Sequence, residues 1–121
     1  MNMISKKLQR HNSVNVLLLS SVLQYLEDWE GIVKKEIDLF DVQDIIVERT
    51  PVGKRSRIWV ETVHEPIYEA TYACQVFDER TFIKFFEEQG YMLKSSWHSW
   101  VGSDVVCGDD IVVFKSFVFG K

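Results

Sequence analysis

The stretch "VNVLLLSSVLQYLEDW", Val14 to Trp29, constrains this chain more than any other. From Val14 to Leu19 every residue except Asn15 is apolar, so both faces of an extended segment here would be apolar. That pattern marks a strand covered on both sides, as in a parallel sheet. Ser20 and Ser21 end the run and stand where a helix cap belongs. Beyond them Val22, Leu23, Leu26, Trp29, Ile32, Val33 and Ile37 recur at spacings of three and four, which is helical. Gly31 is expected to divide this segment into a short turn and a longer helix. Ile45, Ile46 and Val47 then make a second short buried strand, which Pro51 is expected to stop, with Thr50 held extended by the proline after it. Strand, helix, strand in that order implies a parallel pair joined by a right-handed crossover.

The remainder divides less sharply. Residues 1–13 read as a lead-in or the remnant of a helix, ahead of a single unit over 14–121. "VGKRSR" is a solvated loop, and "IWVETVHE" is a strand or an extended arm. "PIYEATYACQVF" is read as an irregular excursion rich in tyrosine. Asp78 is a suitable N-cap for "ERTFIKFFEEQ", whose buried face is Phe82, Ile83, Phe85 and Phe86, and Gly90 stands where a helix C′ glycine belongs. "YMLKSSWHSWV" and "IVVFKSFVFG" form a C-terminal antiparallel hairpin across "GSDVVCGDD". The fold class is therefore α/β, with parallel strands and an antiparallel pair at the end.

Composition narrows the function classes. At 121 residues the chain fits one domain able to bury a core without metal or disulfides. A net charge of −4 argues against a general nucleic-acid or anionic-membrane binder. The longest apolar run is too short to span a bilayer, and no apolar stretch of signal-peptide length follows the basic N-terminus. Cys74 and Cys107 form no CxxC pair and suit reduced thiols, so a cytoplasmic location is expected. His11, His64 and His98 lack HExxH or HxxxH spacing, and no metal site is expected. "GSD" at Gly102–Asp104 lacks the frame of a nucleophile elbow.

In this setting "VNVLLLSSVLQYLEDWEGIVKK" resembles the fourth strand and following helix of class I, Rossmann-like, S-adenosylmethionine-dependent methyltransferases. "DIIVERTP" looks like their fifth strand, and the terminal pair like the sixth and seventh, the seventh being antiparallel. More narrowly, "IIVERTP", "WVETVHEPIYEATYACQVFDERTFIKFFEEQGY" and "FKSFVFGK" are similar to a family of bacterial methyltransferases. The resemblance covers residues 14–121 and implies the C-terminal half of such a sheet, without the N-terminal glycine-rich half. The chain contains no GxGxG or GxGxxG. In open α/β sheets the ligand sits at the switch point beside the strand with the glycine turn. The resemblance thus implies one wall of an S-adenosylmethionine site, methyl transfer to a small acceptor such as a sugar or polysaccharide precursor, and no activity for the chain alone.

What the resemblance carries over to individual residues has ordinary alternatives beside it. Ser20 and Ser21 would touch the methionine part of the cofactor, or simply cap a helix. Tyr25 would face the reaction centre, or pack on Leu26 and Trp29. Arg49 and Thr50 end a strand at the ligand edge, where a guanidinium can clamp a carboxylate or phosphate; Arg49 could equally pair with Glu48 or Glu61. His64, Tyr68 and Tyr72 lie on the excursion that would roof the acceptor. His64 is the candidate general base, or a surface histidine beside Glu65. Tyr68 and Tyr72 would line the acceptor, or pin the loop. Trp97 and Trp100 are expected to pack on the core or a sheet face. With its neighbour missing, Val14–Leu19 becomes an apolar edge strand that would pair with a separate N-terminal half, with a second copy, or with residues 1–13. The competing function is a non-catalytic chain that binds a partner through that edge.

Overall fold

The computed structural model describes residues 16–64, 69–99 and 104–121, and only the backbone at 60–64, 69–72 and 107. The chain runs β1 (Val16–Ser20), a 3-10 turn (Leu23–Tyr25), α1 (Trp29–Phe40), β2 (Asp44–Gly53), β3 (Arg57–His64), β4 (Glu69–Asp78), α2 (Glu79–Glu88), β5 (Met92–His98), β6 (Val105–Cys107) and β7 (Asp110–Gly120). This is an α/β arrangement with one mixed sheet of seven strands. Among the described residues no helix is long and apolar enough to cross a membrane.

Two long strands form the spine. β2 and β7 pair antiparallel from Asp44↔Gly120 to Val52↔Val113, with a bulge between Val47 and Thr50. Each carries two further strands in succession on its outer edge. On β2 these are β1, parallel from Val16↔Asp44 to Ser20↔Glu48, and then β4, parallel at Val52↔Phe77 and Gly53↔Asp78. On β7 they are β5 and β6, both antiparallel. β3 pairs along β4, from Arg57↔Val76 to His64↔Glu69.

Both helices lie on one face of this sheet. α1 starts at Asp28, whose carboxylate accepts from Gly31 N at 3.3 Å, and it turns Trp29, Val33 and Phe40 inward at spacings of four and seven. α2 starts at Asp78, which accepts from Thr81 N at 3.1 Å. It ends in a Schellman motif: Gly90, at φ 93°, and Tyr91 return hydrogen bonds to Glu87 O and Phe86 O. The helices meet through Trp29, whose ring lies 4.7 Å from Phe85 and 5.2 Å from Phe82. Phe86 stacks on Phe119 of β7 at 4.3 Å, and Ile45, Val47 and Phe117 close the layer beneath. Tyr91 is buried, its hydroxyl donating to Val42 O at 2.5 Å. That burial pushes the phenol above its ordinary pKa, against a smaller lowering by Lys121.

Several expectations are corrected here. β1 is not covered on both sides: Leu17 and Leu19 pack on the core, whereas Val16 and Leu18 are exposed. Pro51 does not stop β2, which runs on to Gly53. The proline is tolerated because it sits between the last β1 pair, at Glu48, and the first β4 pair, at Val52, where β2 needs no donor on that edge. "PIYEATYACQVF" is not irregular over its described part, since Glu69–Asp78 is strand β4. The break in the first helical segment falls at Leu26–Asp28, not at Gly31, which lies inside α1. There a side chain would strike the Asp28 carboxylate. β5 and β7 pair as expected, with β6 as an added strand in their connection. Trp97 is exposed on a sheet face, and Trp100 lies outside the described residues.

Candidate functional site

Because β1 and β4 share one edge of β2, a fork opens between them at the carboxyl end of β1. The 3-10 turn sits in this fork, and its Gln24 is buried to within 1%. The Gln24 amide donates to Ser21 Oγ at 3.2 Å and to Arg49 O at 3.1 Å. Only a nitrogen can serve the Arg49 carbonyl, so the amide orientation is fixed. Its other atom, Oε1, is buried with no hydrogen-bond partner. An orphaned buried acceptor costs free energy, and natural interiors hold few of them.

The backbone around Gln24 is equally unusual. Ser21 has φ 52° and Arg49 has φ 53°, left-handed conformations that ordinary side chains rarely adopt. Arg49 is the bulged residue of β2, and bulges re-aim side chains beside functional sites. Hydrogen bonds mostly between neutral groups hold the shape. Ser21 N donates to Glu48 O at 2.9 Å, and Arg49 N donates to Ser99 Oγ at 3.2 Å. Ser99 and Ser116 share a hydroxyl hydrogen bond of 2.7 Å. Ser20 Oγ donates to the Glu48 carboxylate at 3.1 Å. The rim therefore presents hydroxyls, one carboxylate and one exposed guanidinium, above the buried and unpaired Gln24 Oε1. Such a set suits a small polar ligand carrying both a carboxylate and a donor group.

Of the residues expected to act, the structure brings Ser20, Ser21, Arg49 and Thr50 together. Thr50 is buried, and its hydroxyl donates to Glu48 O at 3.4 Å, so it supports the bulge from inside. The serines do not cap the next element: Val22 holds that position, with no side-chain cap bond. Tyr25 stands in the 3-10 turn beside the cluster, 45% exposed. His64 and Tyr72 are placed by backbone only, opposite Glu69 and Glu61 in the β3–β4 hairpin. Tyr68 lies outside the described residues. Gln24, Glu48, Ser99 and Ser116 went unrecognised in the sequence. Gln24 carried a signal, being polar between apolar Leu23 and Leu26 in an otherwise apolar register.

A second polar cluster occupies the other end of β2. Asp110, buried to 1%, accepts from Lys54 N and from the Arg57 guanidinium, each at 2.9 Å. Arg55 pairs with Asp109 at the surface. At Gly53 a side chain would meet the Asp110 carboxylate at 2.6 Å, so glycine is what permits the approach. An open groove of about 720 Å³ runs beside it, floored by Val52, Ile83 and Val113, and none of the expected site residues lines it. Of "VGKRSR", expected as a solvated loop, only residues 54–56 form a loop, clasped by Asp109 and Asp110. Val52 and Gly53 belong to β2, with Val52 buried, and Arg57 opens β3. Among the described residues no group of three or more His, Cys, Asp or Glu could hold a metal ion. Comparison with models of known families finds no match, and neither curated proteins nor solved structures yield one.

Proposed function

We propose that residues 14–121 are the C-terminal part of a class I, Rossmann-like S-adenosylmethionine-dependent methyltransferase, with Ser20, Ser21 and Arg49 at the rim of its ligand site. The observation that carries this reading is the coincidence of topology and strain. β1 and β2 form the parallel pair that the resemblance requires, and β7 is the reversed strand. The two described non-glycine residues that are left-handed away from a helix end, Ser21 and Arg49, lie at the carboxyl end of β1 and in the β2 bulge, where this reading puts the ligand.

The residues present fit only one end of the cofactor. The exposed hydroxyls of Ser20 and Ser21 suit its amino-acid end. No glycine-rich turn occurs in the sequence to receive the remainder. The chain therefore supplies one wall, and activity requires a second wall along the outer edge of β1, from a separate N-terminal half or a second copy. In that assembly Arg49 binds a small acceptor, His64 serves as general base, and Tyr25, Tyr68 and Tyr72 line the pocket. A sugar or polysaccharide precursor is the acceptor class that the resemblance favours.

The second reading is a non-catalytic chain that binds a partner through β1. Its support is that no strand pairs the outer edge of β1 among the described residues. Titration calorimetry separates the two. The methyltransferase reading expects no saturable S-adenosylmethionine binding by this chain alone. It expects micromolar binding once a polypeptide bearing a strand, a glycine-rich turn and an acidic strand end is added, weakened by Ser21→Val. Association with such a polypeptide that restores no cofactor binding rejects the enzyme and leaves the partner-binding reading.

A further inference from the structure

The open groove beside Asp110 has an aliphatic floor and a rim whose charges are unequally used. Val52 and Val113 are a cross-strand pair, and Ile111 stands two residues from Val113, so all three face the same side of the sheet. Ile83 of α2 completes the floor. Val52 is fully buried and Ile111 is 56% exposed, so the apolar strip runs from the core out to water. At about 720 Å³ the groove falls within the size range of small-molecule sites. Asp78, Glu79, Asp109 and Asp110 also line it, and each carboxylate is already engaged. Asp78 accepts from Thr81 N, Glu79 pairs with Lys115 at 2.9 Å, Asp109 with Arg55, and Asp110 with Arg57. Lys54 and Arg80 complete the rim, and both are exposed. Neither side chain has an ion-pair or hydrogen-bond partner among the described residues. What the rim still offers a ligand is positive charge.

We propose that this groove binds a small anion with an aliphatic body, a medium-chain carboxylate being the simplest. The chain lies along Val113, Ile111 and Ile83, and the carboxylate meets the Lys54 ammonium and the Arg80 guanidinium. Three features choose this occupant. The floor is branched and aliphatic, and none of the described lining residues is aromatic, so it buries a tail rather than stacking a ring. The unpaired groups are both cations, and a guanidinium forks onto a carboxylate. The competing carboxylates are held within the protein, and the Asp110 clasp fixes the wall that carries Lys54. The site stands apart from methyl transfer at the fork, since none of Ser20, Ser21, Arg49 or His64 lines it.

Titration calorimetry of the whole chain with octanoate tests this, with 1-octanol and acetate as controls for tail and head alone. Octanoate should bind at a single saturable site, at least about tenfold more tightly than either control. Lys54→Gln and Arg80→Gln together should weaken it at least about tenfold. Both residues are exposed, so the double variant should keep the parent's thermal unfolding midpoint. Ile111→Asp, also at an exposed position, should weaken octanoate binding by breaking the apolar floor. Absence of saturable octanoate binding overturns the proposal. So does binding that survives the double substitution, because the anion then sits elsewhere. Octanol binding as tightly as octanoate overturns it too, and leaves an apolar groove without selectivity for charge.

Discussion

The two polar clusters along β2 are built on opposite lines. At the bulge the bonds are mostly between neutral groups, two residues hold left-handed backbone, and a buried acceptor is left unused. At the carboxyl end a buried carboxylate meets a guanidinium and a backbone N–H at ordinary distances, and a glycine is placed to let it do so. The second cluster spends its hydrogen-bonding capacity on tying the β2–β3 connection to β7. The first keeps capacity in reserve and tolerates strain. Burial of polar groups is common to both, so burial alone does not mark a functional site; strain combined with an unmet bond does.

That contrast can be broken by substitution. Asp110→Ala should destabilise by about 3 kcal/mol in urea unfolding, because it strands Arg57 and the Lys54 amide. Gly53→Ala should cost about 2 kcal/mol by the same measurement, since its added methyl group collides with Asp110. Gln24→Leu should stay within about 1 kcal/mol of the parent, losing a bond to Arg49 O but also removing the orphaned acceptor. A loss as large as that of Asp110→Ala would mean that the bulge cluster is structural too. Smallest of all, Ser21→Gly should raise stability by about 0.5 kcal/mol through relief of its left-handed backbone. If Ser21→Gly destabilises instead, the strain assigned to the rim is absent.

Much of the fold could be read from local pattern. The Asp78 cap, the Gly90 terminus and the inward phenylalanines of α2 each follow from chemistry within one or two turns, and all are present. The misreadings arose where long-range pairing overrides local cues. Pro51 looks like a stop in isolation, yet β7 carries β2 past it. "VLLLS" looks two-sided, yet only Leu17 and Leu19 meet the described core. β4 is not legible locally because its backbone is organised by β3, through eight paired positions from Arg57↔Val76 to His64↔Glu69, rather than by any alternation of its own. At the fork, Ser20, Ser21 and Arg49 were legible as strand ends. Ser99 and Ser116 were not, because they reach the bulge from strands far away in sequence.

The place of β7 has a consequence for how the molecule is made. β7 follows every other described strand, yet it sits inside the sheet between β2 and β5. While a ribosome extends the chain, β2 waits with an open edge, and β5 has no strand to join, until Phe117 and Phe119 have emerged. Closing the sheet therefore depends on contacts between residues distant in sequence, and such closures are slow. Before Asp110 is made, one edge of β2 and the whole of β5 are unpaired and the phenylalanine face of α2 lacks Phe117 and Phe119, the kind of exposed surface that favours aggregation.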